Sequence, residues 1–314
     1  MIEELILYVV AFVAAVVLIG KAGDVFVSSS CGIARALGVS QAVVALTLIA
    51  FATSAPEFFT STIAAALGEV EISYANVVGS NIINISLVLG LAAVFGAVNV
   101  NRERLKEGTI MLGIGIVLVL MALDGEVSAI EGVVLLLIFV LFLKFVWGRE
   151  ANRGRDNSTR GREGLGRLFL LFVVGATGTI LGAWLLVYSG AGFARVVGVP
   201  ESAIGFTLVA VGTSLPELAT IIIASAKRLP EISAGTVIGS NIFNAALVIG
   251  CASVIRPLRV DHQAIWFSNP MMLIAMLLLL GFMWTGLKLS RREGIGLLAF
   301  YVFYLAGLAF LYAP

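Results

Sequence analysis

The chain is poor in the residues that do most protein chemistry. Its 314 residues include two cysteines, one histidine and seven prolines, and only 12% are Asp, Glu, Lys or Arg. Cys31 and Cys251 stand alone in apolar stretches, which excludes a disulfide framework or a thiolate metal motif and reads as two small buried hydrophobes. The single histidine, His262, follows "RPLRVD" in a polar connection, so no imidazole lies in an apolar segment to serve a zinc site or a Ser–His pair. A soluble domain carries about a quarter charged residues. Half that, with a net charge of +1, argues against a soluble fold and against a nucleic-acid partner.

What the chain has instead is apolar length. Of its residues 60% are hydrophobic, in continuous runs that repeatedly reach the roughly 20 residues needed to cross a bilayer. A barrel would show short alternating segments. Ten spans are expected, near 5–28, 41–67, 72–97, 108–123, 127–147, 167–191, 201–226, 232–255, 264–286 and 293–312, so the fold class is an all-α membrane protein. The N-terminal "MIEELILYVV" lacks a basic region and reads as the start of the first span, with no cleaved signal. One long polar stretch, "GREANRGRDNSTRGREGLGR" at 148–167, is rich in Arg and Gly and reads as a linker loop. Placing that loop in the cytoplasm and alternating puts Lys21, Arg35, Arg102, Arg104, Lys106, Lys227, Arg228, Lys288, Arg291 and Arg292 on the same side. Arg195, Arg256 and Arg259 fall opposite. By the positive-inside bias both termini are then extracellular, and the protein belongs in the cell membrane.

The two halves repeat. "VALTLIAFATSAPE" (44–57) matches "IGFTLVAVGTSLPE" (204–217), and "EISYANVVGSNIIN" (71–84) matches "EISAGTVIGSNIFN" (231–244), both at an offset of 160. Five spans per half is an odd number, so the second half enters the membrane inverted. The expected organisation is a first five-helix repeat (1–147), the cytoplasmic linker (148–167) and a second, inverted five-helix repeat (168–314). Secondary transporters share this plan, with the site near the midplane where the repeats meet.

The repeated residues give that site its chemistry. Glu57 and Glu217 are the acidic residues expected well inside spans, where a charge costs at least ~2.5 kcal/mol on insertion scales. A capping or merely buried glutamate is the plainer alternative, and two at equivalent positions weaken it. Pro56 and Pro216 donate no backbone hydrogen bond, so the carbonyls of Ala52 and Gly212 lose their helical partners. Thr53 and Glu57, Thr213 and Glu217, Ser80 and Asn84, and Ser240 and Asn244 are each four apart and share helix faces. Gly79 and Gly239 permit close helix approach. Asn81 and Asn241 point elsewhere and are expected to bond the backbone. Alone, any of these hydroxyls could simply bond back to a carbonyl one turn earlier. Together the residues supply carboxylates, hydroxyls, amide carbonyls and freed backbone carbonyls. This set of hard oxygens suits Ca2+ or Na+, and not Zn2+ or Cu+. Two carboxylates balance one divalent ion, and competition for shared ligands gives a basis for exchange.

At these motifs the chain resembles the cation/Ca2+ exchanger superfamily, in its Na+/Ca2+ exchanger branch and its archaeal and bacterial members. The hallmark is a pair of repeats, each with a (G/A)TS-x-PE and a GS-x-x-x-N/D motif, here "ATSAPE" with "GSNIIN" and "GTSLPE" with "GSNIFN". The resemblance implies ligands at Ala50 (carbonyl), Thr53, Ser54, Glu57, Ser80 and Asn84, and at Ala210 (carbonyl), Thr213, Ser214, Glu217, Ser240 and Asn244. It also implies exchange of several Na+ for one Ca2+, with the first and sixth spans sliding over the rest. Ala52 replaces the Gly of the GTS motif. Asn244 stands where some prokaryotic members and the K+-dependent branch carry Asp, which argues against K+ co-transport.

The reading is a Na+/Ca2+ antiporter whose partners are Ca2+, Na+ and lipid, with no cofactor and no obligatory protein partner. An H+-coupled or other cation/Ca2+ antiporter is the nearest alternative. A passive channel fits poorly with an inverted repeat. An intramembrane protease fits poorly with Asp24, Asp124, Asp156 and Asp261 at span ends or in loops.

Overall fold

The structure is a computed structural model, and it describes residues 2–96, 98–151, 164–196, 212 and 214–311. Among these, eight helices are long and apolar enough to cross a membrane, and a bent helix pair makes a ninth. Helix α1 (Ile2–Leu37) comes first. The second span is assembled from α2 (Gln41–Val44), a π-helical turn (Ala45–Ile49), α3 (Ala50–Thr53) and α4 (Ala55–Leu67), with a bend of 48° after Thr53. Helix α5 (Val70–Ile83) continues through a π turn (Asn84–Val88) into α6 (Leu89–Phe95). Strand β1 (Val98–Asn99), α7 (Arg102–Met121), strand β2 (Glu126–Val127) and α8 (Ala129–Ala151) complete the first half.

The second half begins with α9 (Leu165–Val196). Residues 197–211 and 213, in the expected seventh span, lie outside the described residues, and that span resumes as α10 (Leu215–Ala226). Helix α11 (Pro230–Ile242), a π turn (Phe243–Val248) and α12 (Ile249–Ile255) follow. Strand β3 (Leu258–Arg259), a π turn (Ala264–Ser268), α13 (Asn269–Gly286), strand β4 (Lys288–Leu289) and α14 (Arg291–Leu311) close the chain.

Several boundaries differ from those expected. At 36 residues, α1 spans roughly 54 Å at 1.5 Å per residue, well beyond a bilayer core of about 30 Å. The fourth helix starts at Arg102, six residues before the apolar run, because Asn101 caps it by accepting from the amides of Glu103 and Arg104 at 3.1 and 2.9 Å. The expected linker 148–167 is helical at both ends, since α8 runs through Ala151 and α9 starts at Leu165. Residues 152–163 lie outside the described residues. The earlier start of α7 also buries a further carboxylate. Glu107 pairs with Arg104 at 2.5 Å and with Arg149 of α8 at 3.4 Å, while Arg149 reaches Glu103 at 3.1 Å. Two guanidinium groups neutralise these two carboxylates, which accounts for their place at a helix end.

Phe59, Leu67, Ile130, Trp184, Trp284 and Phe310 are exposed to the surroundings, while Ser, Thr, Asn and Glu side chains are buried within an apolar core. Helices α1 and α9 pack along each other, and their contact is set by small residues. A Cβ built on Gly175 would lie 2.6 Å from the Phe26 amide nitrogen, and one on Gly178 would lie 2.7 Å from the Ala22 Cβ. This pair meets the bundle across its own apolar cluster, built on Phe26, Ile33, Ile49 and Phe172, apart from the main core. Lys227, after α10, ties α1 to the bundle through Asp24 Oδ1 at 2.7 Å. The short strands join loops from opposite halves: β1 pairs antiparallel with β4 and β2 with β3.

Helix α11 lies hard against the broken second span. A Cβ on Gly239 would meet the Leu46 carbonyl oxygen at 2.7 Å and the Ala50 Cβ at 2.8 Å. No described residue comes within 4 Å of a Cβ built on Gly79. Gly239→Ala should therefore destabilise the protein by about 1–3 kcal/mol, read as a lower unfolding midpoint in detergent. Gly281→Ala, where a Cβ meets nothing within 4 Å, should leave the midpoint in place. Equal midpoints for the two variants would contradict the packing described.

Candidate functional site: a buried oxygen cage

Each glutamate sits in the first turn of a helix that restarts after a break. Ser54 (φ −84°, ψ 9°) and Ser214 (φ −90°, ψ 4°) interrupt the helical backbone, and α4 and α10 begin at the next residue. Pro56 and Pro216 are accommodated there because the first turn has no helical acceptor for their missing N–H. Glu57 and Glu217 follow, with the positive end of the helix dipole beneath them. Both side chains are fully buried.

Serine two before proline and glutamate one after it form the local pattern of a capping box. The structure wires it differently. Neither serine makes a side-chain cap bond to its own helix. Ser54 Oγ instead donates to Glu217 Oε1 at 2.9 Å, and Ser214 Oγ to Glu57 Oε1 at 3.5 Å. Each carboxylate is thus held by the serine of the opposite half. From its own half, Glu57 Oε1 also accepts from Ser80 Oγ and Glu217 Oε1 from Ser240 Oγ, both at 3.5 Å. Thr53 Oγ1 lies 3.5 Å from Ser240 Oγ, across the halves.

Seven of the expected residues gather around the two carboxylates. Glu57, Ser80 and Ser214 converge around one carboxylate, and Glu217, Ser54, Ser240 and Thr53 around the other. Asn84 and Asn244 are fully buried, and neither their amide oxygens nor their nitrogens have a partner among the described residues; the same holds for Glu217 Oε2. The Ala50 carbonyl accepts from Ser54 N at 3.0 Å and Thr53 Oγ1 at 3.4 Å. Thr213 and Ala210 lie outside the described residues. Two features escaped the sequence reading. The crossed Ser–Glu pairing is one. The other is the π turns at Asn84–Val88 and Phe243–Val248, which widen the helix where the asparagines stand. An asparagine amid an apolar helical run was the available signal for them.

Among the described residues no three His, Cys, Asp or Glu side chains converge. The centre is two carboxylates ringed by neutral oxygens, a set made for a hard cation. Fold and site together define a multi-pass helical membrane protein with two carboxylates and several neutral oxygens buried at its centre.

Comparison with known proteins narrows the class. The family described as sodium/calcium exchanger protein matches residues 7–148 and 167–310, and the chain belongs to that family. It is 33% identical to the sodium/calcium exchanger MaX1 of Methanosarcina acetivorans, over 93% of this chain and 95% of that one. It is 34% identical to an uncharacterised membrane protein of Methanocaldococcus jannaschii, over 97% and 99% of the two chains. The structure is similar to that of the sodium-calcium exchanger NCX_Mj soaked with 100 mM Na+ and 10 mM Sr2+. Here the TM-score is 0.84 and the identity 33%, over 96% of this chain and 98% of that one.

The unequal serine contacts yield a test. Ser54→Ala removes a 2.9 Å hydrogen bond to a buried carboxylate, worth about 1.5–3 kcal/mol, and Ser214→Ala removes a longer one. In ion-free detergent the first variant should lower the unfolding midpoint more than the second. The reverse order would contradict the geometry.

Proposed function

We propose that the protein is a secondary antiporter exchanging Na+ for Ca2+ by alternating access, with Ca2+ held between Glu57 and Glu217 near the midplane. The observation that carries this reading is the crossed hydrogen bonding of Ser54 to Glu217 and Ser214 to Glu57, which draws two buried carboxylates into one centre. Their charge matches one Ca2+. Hydroxyls and the amide oxygens of Asn84 and Asn244 supply neutral ligands for Na+ in smaller compartments that share the same glutamates, and the Ala50, Ala210 and Thr213 oxygens complete the set. With Asn244 in place of an acid, the cage keeps two negative charges and not three. Emptied, it would carry both through lipid uncompensated, the costliest state to move. Occupancy is therefore the condition for crossing, and the two fluxes are coupled.

The architecture in this reading is two inverted five-helix repeats, 1–147 and 168–314, joined by the 148–167 segment. The strand pairs support it. Strand β1 follows the third span and β4 the ninth, while β2 follows the fourth and β3 the eighth. Paired strands share a membrane face, so an even number of crossings separates them, as a count of ten spans requires. Helices α1 and α9, packed on each other over a separate core, are the pair that slides. Both termini are extracellular in the cell membrane, and the Arg-rich segment faces the cytoplasm.

The deciding measurement is 45Ca2+ uptake into proteoliposomes loaded with Na+, with K+ or with protons. An outward Na+ gradient alone should drive uptake, and proton-driven uptake would reassign the coupling ion. Glu57→Gln and Glu217→Gln should each cut exchange at least about 30-fold, and normal exchange in both would remove the site. For orientation, Asn157→Cys in a chain with Cys31 and Cys251 replaced by Ala should react with an impermeant maleimide only from the cytoplasmic face. Labelling from outside would invert the topology.

A further inference from the structure

The asparagine after each site serine, Asn81 or Asn241, takes no part in the cage. Both are fully buried. Asn81 Nδ2 donates to the Asn241 main-chain carbonyl at 3.5 Å and to Met272 Sδ at 3.7 Å. Asn241 Nδ2 donates to Met111 Sδ at 3.6 Å. The arrangement is reciprocal, with each amide on one half and the methionine it meets on the other. Met111 belongs to α7 and Met272 to α13, helices that pack on each other and on α11 and α5 respectively. Both amide oxygens are buried with no partner among the described residues.

For stability alone this is a poor choice. A thioether is a weak acceptor, and leucine would fill similar volume with no polar group to desolvate. The placement explains the amides better. Successive residues point about 100° apart around a helix, so Asn81 and Asn241 stand off the faces that carry Ser80 with Asn84 and Ser240 with Asn244. Whatever anchors them fixes the rotation of α5 and α11 about their own axes. That rotation sets where the four ligands point.

We propose that Asn81 and Asn241 are positioning residues that lock the rotation of α5 and α11, through the bond of Asn81 to the Asn241 main-chain carbonyl and through Met272 and Met111, and so set the ion preference of a cage they do not touch. The inference rests on the cation-exchange reading. Its test is Na+-driven 45Ca2+ uptake with Sr2+ as competitor, alongside unfolding midpoints in ion-free detergent. Asn81→Leu and Asn241→Leu should each raise the KM for Ca2+ about fivefold and change the Sr2+/Ca2+ preference, while the midpoint holds or rises. Adding Met272→Leu to Asn81→Leu should cause no further KM change, because both act through one link. A purely structural role predicts the opposite, a lowered midpoint with KM and ion preference intact, and that result overturns the proposal. If the asparagine variants do not fold, Met111→Leu and Met272→Leu keep the volume and carry the test. Each should raise KM about twofold, and an unchanged KM overturns the proposal. A wild-type protein that takes up no Ca2+ against Na+ would instead fail the exchange reading itself.

Discussion

Two carboxylates buried where lipid surrounds the protein are the constraint on which everything else rests. A charge in such a place is tolerated only with neighbours that replace water. Here the neighbours come from both halves of the chain. Glu217 accepts from Ser54 and Ser240, and Glu57 from Ser214 and Ser80. The helix breaks at Ser54 and Ser214, the prolines that begin the new helices and the close seat of Gly239 against Leu46 all serve to bring those groups within reach. The apolar exterior is the complement of the same requirement, because polar contacts are concentrated where the halves meet.

The backbone is irregular near the same centre. The π turns at Asn84–Val88 and Phe243–Val248 fall where the two buried asparagines stand. Such turns forgo regular hydrogen bonding, and these two occur in helices that each carry a pair of expected ligands, whereas the one at Ala264–Ser268 does not.

Much of this was legible before any coordinates. Apolar length marked the crossings, and the constant offset of 160 between two pairs of motifs marked the duplication and singled out Glu57, Glu217, Ser80, Ser240, Asn84 and Asn244. What was not legible depended on contacts between distant residues. A capping box reads the same in sequence whether its serine serves its own helix or another, so the partner of Ser54 could not be read locally. The buried Arg104–Glu107 pair and its link to Arg149 are not legible in the sequence, because hydropathy locates the fourth crossing and not the helix, which Asn101 starts a turn and a half earlier. From sequence, Asn81 and Asn241 read as backbone-bonding. One does reach a main-chain carbonyl, but their methionine partners lie in other helices.

The crossed pairing has a consequence for how the protein is made. Ser214 is 157 residues beyond Glu57, and a ribosome adding about 5–20 residues per second takes roughly 8–30 s to cover that distance. Throughout that interval Glu57 has only the partners of its own half, Ser80 among them. The crossed contacts are therefore the last part of the centre to be completed, and a chain stopped midway would hold its first glutamate without the hydroxyl that the second half supplies.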